Sequence, residues 1–369
     1  MPIIVLFFQD NGLNMQEVFW IQSTYAIIIA ATELLSGYFA DMNGRSLSMK
    51  IGMLLNLMGI TGYAFAHSFW QFIPCAVLLG LGQSFVSGSD TALMFDSLNA
   101  SGKSKAFIKL EGRSVSVGNF SEAVAAILGG FLANYCLRMP FYFQIIVALI
   151  GWIFALFIKE PPTSKYILSD KGWKNIFNIL HYSLIKKKVL RWNIIFSSFL
   201  GVSTLIMAWL VQPLLKHFNF TTYSIGISWS ILNIITGIAA FYAFKIKRYF
   251  NYFKMNVFLL SSIILGYLMI STGYKFISLT FLLFFYFIRG IATPMLRDFI
   301  NRITPSEMRA TVMSIRSMII RSLFFIFSPF LGYLYDVYSL KFAILGGSLI
   351  FGILGIINLS LLYITLKKD

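Results

Sequence analysis

The stretch Gly37-Tyr-Phe-Ala40-Asp41-Met-Asn-Gly44-Arg45 closes one long apolar run and opens the next. Its glycines permit a tight turn and a close approach of two helices, Asp41 suits the positive N-terminus of a neighbouring helix, and Arg45 suits an acid. A helix, a turn and a second helix are the reading at this point, and the pattern repeats along the chain. Apolar runs follow at about residues 17 to 40, 49 to 66, 71 to 96, 113 to 135, 140 to 158, 192 to 215, 223 to 244, 255 to 272, 276 to 297, 309 to 332 and 341 to 364. Each approaches or exceeds the roughly 20 residues of a membrane-crossing helix. That makes eleven spans and a fragment. Pro2 to Phe8 reaches only about 10 Å as a helix, against a hydrocarbon core of roughly 30 Å, so the first helix is expected to be truncated or to start upstream. No basic segment precedes that run and no small-residue cleavage site follows it, which argues against a signal peptide.

Composition agrees with the pattern. Of 369 residues, 58% are hydrophobic and 12% charged, where soluble domains carry roughly 25% charged. This argues against an ordinary soluble enzyme and predicts an all-α, polytopic membrane protein. Lys and Arg total 30 and Asp and Glu 14; in a membrane chain that excess is read as topology rather than as a nucleic-acid surface. One set of alternate loops holds 24 of the basic residues, from Arg45 and Lys50, through eight between Lys159 and Arg191, to Arg297, Arg302, Arg309, Arg316, Lys367 and Lys368. The other set holds Arg138, Lys216, Lys275 and Lys341. Because Lys and Arg are retained inside, the first set and the C-terminus are expected to be cytoplasmic.

The longest polar interruption divides the chain into an N-terminal bundle (1–158), a cytoplasmic linker (159–191) and a C-terminal bundle (192–369). In the linker Trp173, Ile176, Phe177, Leu180 and Leu184 recur at helical spacing beside Lys171, Lys174 and the run Lys186 to Lys188. That suits a helix lying on an anionic membrane surface or one packed against the bundle's cytoplasmic ends. Gly88, Asp96 and Asn99 recur as Gly290, Asp298 and Asn301, so the bundles read as parallel six-helix repeats with a central site between them.

Gly37, Ala40, Asp41, Gly44 and Arg45 resemble the cytoplasmic signature of the major facilitator superfamily, G-x-L-A-D-R-x-G-R, with Met42 in place of its first basic residue. Asn301 to Ser314 (NRITPSEMRATVMS) is similar to the later cytoplasmic loop of bacterial drug-efflux-like members. The resemblance implies a bundle of two six-helix halves in a bacterial inner membrane and secondary active transport by alternating access. It implies a latch in which Asp41 faces the start of span 11 near Arg309 while Arg45 pairs with Asp96. The efflux and antiporter signatures are incomplete: Ala76 stands where span 4 expects an Arg, and Ser121, Ala125, Ala126, Gly129 and Gly130 keep the small residues of the span 5 motif without its Pro.

Ionisable residues within spans are costly and mark function. Glu33, Asp90, Glu122, Arg289 and Arg321 lie roughly 12 to 18 Å inward from the cytoplasmic edge at about 1.5 Å per residue. A carboxylate kept from water holds its proton and releases it when a cation approaches, which is the chemistry of proton exchange. Glu122, Asp90, Glu33 and Arg289 are therefore the candidate coupling or cavity residues, with Glu122 first; for each acid a packing role is the alternative, and for Arg321 packing against another helix is the stronger reading. Gly37, Asp41, Gly44, Arg45 and Asp96 are the candidate gate. His67, His181 and His217 fall near separate loops, and no His or Cys spacing suggests a metal. Cys75 and Cys136 both fall near the outer face, where a disulfide is the alternative, but they read as two free, partly buried thiols. No Gly-rich loop precedes a Lys-Ser or Lys-Thr pair, which argues against ATP drive. The expectation is a monomeric, cofactor-free, proton-coupled exporter of a small molecule. The alternatives are a proton-coupled importer of a small nutrient and a membrane-embedded lipid-modifying enzyme.

Overall fold

In a computed structural model of the chain, residues 3–87, 89–103, 107–161, 178–246, 251–305 and 308–367 are described. They form helices α1 (Ile4–Asp10), α2 (Met15–Asn43), α3 (Arg45–Phe65), α4 (Phe69–Val86), α5 (Ser89–Ala100), α6 (Phe107–Tyr135) and α7 (Met139–Leu156). After a π-helical turn (Tyr182–Lys186) come α8 (Lys188–His217), α9 (Thr222–Ile246), α10 (Tyr252–Ile270), α11 (Lys275–Ile303), α12 (Arg309–Val337) and α13 (Leu340–Leu366). Two units result, one of Met1–Ile167 with Thr221–Ile227, the other of Leu168–Phe220 with Ser228–Asp369. Among the described residues eight helices are long and apolar enough to cross a membrane, or nine when α2, bent by 49° near Leu34, counts as one span.

Helix boundaries in the first unit follow from local chemistry. Asn14 Oδ1 accepts from the Glu17 N–H at 2.8 Å and Glu17 Oε2 accepts from the Asn14 N–H at 2.9 Å, a reciprocal cap that starts α2. Its end is Gly44, whose φ of +105° turns the chain straight into α3. The expected span at 71 to 96 falls inside one candidate span, Phe69–Ala100, to which α4 contributes up to Val86 and α5 from Ser89 onward. Ser36, at the bend of α2, donates to the Ser84 carbonyl at 2.8 Å and ties the two irregular helices together.

The α3–α4 seam packs backbone on backbone. A Cβ at Gly52 would stand 2.8 Å from the Gly82 carbonyl, and one at Gly82 would stand 2.7 Å from the Gly52 carbonyl, so neither helix admits a side chain there. Farther along, Gly62 lies directly against the Cys75 sulfur. Cys75 is buried and Cys136 exposed, both as free thiols, so only the first is sheltered. α1 is short, but Phe7 stacks on Phe141 (centroids 4.1 Å apart) and Phe8 meets Phe72 edge-on at 4.9 Å. Arg138 completes this end by donating to the carbonyls of Ala64 and Ala66, both at 2.8 Å, and to Asn11 Oδ1; His67 Nδ1 lies 2.8 Å from the same guanidinium.

In the second unit α8 is the central helix, buried over most of its length from Leu190 to Leu215. Tyr267 of α10 donates its hydroxyl to the Ser203 carbonyl of α8 at 2.6 Å. By contrast α13 buries Gly347, Phe351 and Gly355 while exposing Leu349, Ile353, Ile356 and Ile357. A helix apolar on both faces is stable only where its outer face meets lipid. Leu180 and Leu184 of the linker pack on a cluster of Ile179, Leu190, Ile194, Ile300, Val312 and Ile315. For these two leucines the partner is protein, and their helix belongs to the second unit. Trp173, Ile176 and Phe177 lie outside the described residues.

Candidate functional site

The turn between α2 and α3 assembles a charged network within the first unit. Arg45 Nη1 pairs with Asp96 Oδ2 of α5, and Arg45 Nη2 lies 3.6 Å from Asp41 Oδ1. The side chains of Arg45 and Asp96 are 18% and 16% exposed, so that pair is sheltered, whereas Asp41 at 40% is open. Shelter from water strengthens the attraction and makes the loss of either partner costly. Gly37 is half-buried, and a Cβ there would meet open space, so it makes no close approach among the described residues.

One member of the network escapes a reading of the sequence. Glu160, just beyond α7, accepts from the Arg45 N–H at 3.0 Å and from the Ser46 N–H at 2.7 Å. The Ser46 hydroxyl donates to the Ile158 carbonyl at 2.7 Å. Residue 44 has no side chain to cap α3, so a carboxylate from more than a hundred positions away satisfies the helix's first donors and faces its positive end. The available signal is faint: an acid at a helix exit followed by Pro161 and Pro162.

The candidate coupling residues stand apart from this network. Glu33 is half-buried on α2 immediately before the bend. Asp90 is exposed in the first turn of α5, where its Oδ1 accepts from the Thr91 N–H at 2.6 Å, so its visible work is to stabilise a helix start. Glu122 is exposed midway along α6 and has no hydrogen-bond or ion-pair partner among the described residues. Around it Ser121 and Ala125 are also exposed, and a Cβ on Gly129 would meet nothing within 4 Å. No bond joins Asp90 to Glu122 among the described residues. Arg289, in the second unit, is half-buried with its guanidinium 5.4 Å from the centre of the buried Tyr286 ring. Among the described residues Arg321 Nε reaches its helix neighbour Ser317 at 3.4 Å. Among the described residues no three His, Cys, Asp or Glu side chains converge as metal ligands.

A family model described as Major Facilitator Superfamily matches residues 1–327. The chain belongs to that superfamily. Membership makes it a multi-pass membrane transporter rather than an enzyme. Quinolone resistance protein NorA of Staphylococcus aureus (strain MRSA252) is 24% identical over 284 residues, covering 74% of this chain and 69% of NorA. Multidrug resistance protein 2 of Bacillus subtilis (strain 168) is 24% identical over 169 residues, which is 44% of this chain and 40% of that protein. Among solved structures, a variant of the nucleoside transporter NupG superposes with a TM-score of 0.82 at 14% identity, covering 98% of this chain and 94% of that one. At that identity the match establishes the fold alone.

Proposed function

We propose that this superfamily member is a proton-coupled exporter that exchanges protons for a small organic molecule by alternating access. The observation that supports this most is Glu122, an exposed carboxylate without a partner among the described residues, on a helix read as membrane-spanning. Ionisable groups survive in such places when transport chemistry needs them. Glu122 takes a proton from outside and gives it up inside, with Asp90 and Glu33 as secondary acids, and Arg289 is a candidate cavity cation. Asp41, Arg45 and Asp96, held by Glu160, form the cytoplasmic latch. The names of the relatives favour amphipathic drugs as cargo.

Reconstitution into proteoliposomes under an imposed pH gradient, with a fluoroquinolone and a panel of cationic drugs, tests this reading. Glu122→Gln should lower gradient-driven flux at least tenfold while substrate binding persists, and Asp90→Asn should have the weaker effect. Wild-type flux in both variants would remove the coupling role. Accumulation with the proton gradient, rather than against it, would reassign the protein as a symporter. Asp41→Asn should abolish transport at normal expression.

A further inference from the structure

The charge count places Arg316 among the loop residues, but it lies two turns inside α12 and is 8% exposed. Its guanidinium sits against α8. Nε donates to Ser197 Oγ, the Ser198 hydroxyl donates to the Arg316 carbonyl at 3.4 Å, and a Cβ at Gly201 would stand 3.7 Å from a terminal nitrogen. Both serines are fully buried. Only one of the five guanidinium N–H donors is thereby used, and the terminal nitrogens have no partner among the described residues. No carboxylate among those residues pairs with it, and Arg297 of α11 adds a second positive charge nearby. Two other sheltered arginines are well partnered: Arg45 has Asp96 and Asp41, and Arg138 has two carbonyls, an amide oxygen and an imidazole, whereas Arg191 of α8 leaves its buried Nε without a hydrogen-bond partner among the described residues. A charge withdrawn from water without a counter-charge is strongly penalised.

We infer that Arg316, seated on Ser197 and Gly201 between α8 and α12, is an anion subsite that takes the oxyanion of a carboxylate or phosphate group. A planar fork with its terminal donors free matches the two oxygens of such a group. Gly201 leaves room for the Ile320 side chain, which packs on it beside the fork, and Ser197 fixes the rotamer by holding Nε. Val312, one turn back on α12, and the adjacent Ile315 belong to the apolar cluster with Leu190 and Ile194 of α8. The inference is independent of the direction and coupling of transport, since it concerns binding alone.

Thermal unfolding of the full-length protein in phosphatidylcholine nanodiscs, titrated with sodium benzoate or inorganic phosphate at constant ionic strength, tests it. Benzoate or phosphate should raise the midpoint in a saturable way. Arg316→Met should lose that response at least tenfold in apparent affinity, with an anion-free midpoint no lower than wild type, because an unpaired buried charge has been removed. Arg321→Met, one turn and a half along the same helix, should respond normally. Nanodiscs containing phosphatidylglycerol separate the sources: a midpoint already raised and indifferent to benzoate identifies a lipid headgroup, and a persisting benzoate response identifies a soluble anion. If Arg316→Met cannot be purified folded, Arg316→Lys should weaken the response at least fivefold. Absence of any response to benzoate, phosphate or phosphatidylglycerol overturns the inference, as does a response unchanged in the Arg316 variants.

Discussion

Glu160 occupies, at the mouth of α3, the place a capping side chain would take if residue 44 were Asn or Ser. Gly44→Ala meets two obstacles, a φ of +105° and a Cβ 3.1 Å from the Glu160 carboxylate. It should cost about 1–3 kcal/mol, read as a lower thermal midpoint. Glu160→Gln keeps the shape but removes the charge and one of two acceptors, and should cost about 1–2 kcal/mol by the same measurement. A double variant should lose less than the sum, because both changes act on one contact. Asp41, Gly44 and Arg45 are legible in the sequence because a turn is local chemistry. Glu160 is not, because nothing in a linear reading states which helix end a distant carboxylate will meet. Asp90 is likewise beyond a linear reading in one respect: its depth in an apolar run suggests a cavity acid, but does not show that its carboxylate accepts from the Thr91 N–H in the first turn of α5.

Each of the eleven apolar runs falls within helix, to within two residues at its ends, the run at 71 to 96 being shared by α4 and α5, since length and hydropathy decide that a segment must satisfy its backbone internally. What periodicity does not show is the bend of α2, beside which Ser36 is tied to the Ser84 carbonyl of α4. Nor does loop counting identify the work of Arg138. Its guanidinium gathers α1, the α3–α4 connection and the start of α7, and replacing it with Met leaves sheltered carbonyls without donors. Arg138→Met should therefore destabilise the protein by about 2 kcal/mol in a thermal or denaturant series. Arg302→Met is the matching control: it removes an i,i+4 pair with Asp298 in which Arg302 is 66% exposed, and should change stability by less than about 0.5 kcal/mol.

At the scale of the molecule, the chain divides into two units, and Leu180 and Leu184 of the linker cover an apolar cluster of the second. Alternating access, as proposed, requires each unit to move as one piece, and the α3–α4 seam bears on that requirement. At Gly52 and Gly82 the two backbones meet directly, with Val86 and Asn56 packed tightly beside them, so the pair has little room to slide. At Gly62 a Cβ would stand 3.5 Å from the Cys75 Cβ, within the range of about 3.5–4.5 Å found across a disulfide. The chain is thus one substitution away from a covalent staple along its tightest helix pair. Gly62→Cys in a Cys136→Ser background, oxidised and then reduced in the same proteoliposomes, should transport equally well in both states to within about twofold. A flux that stops on oxidation and returns with reductant would mean that α3 slides along α4 during every turnover.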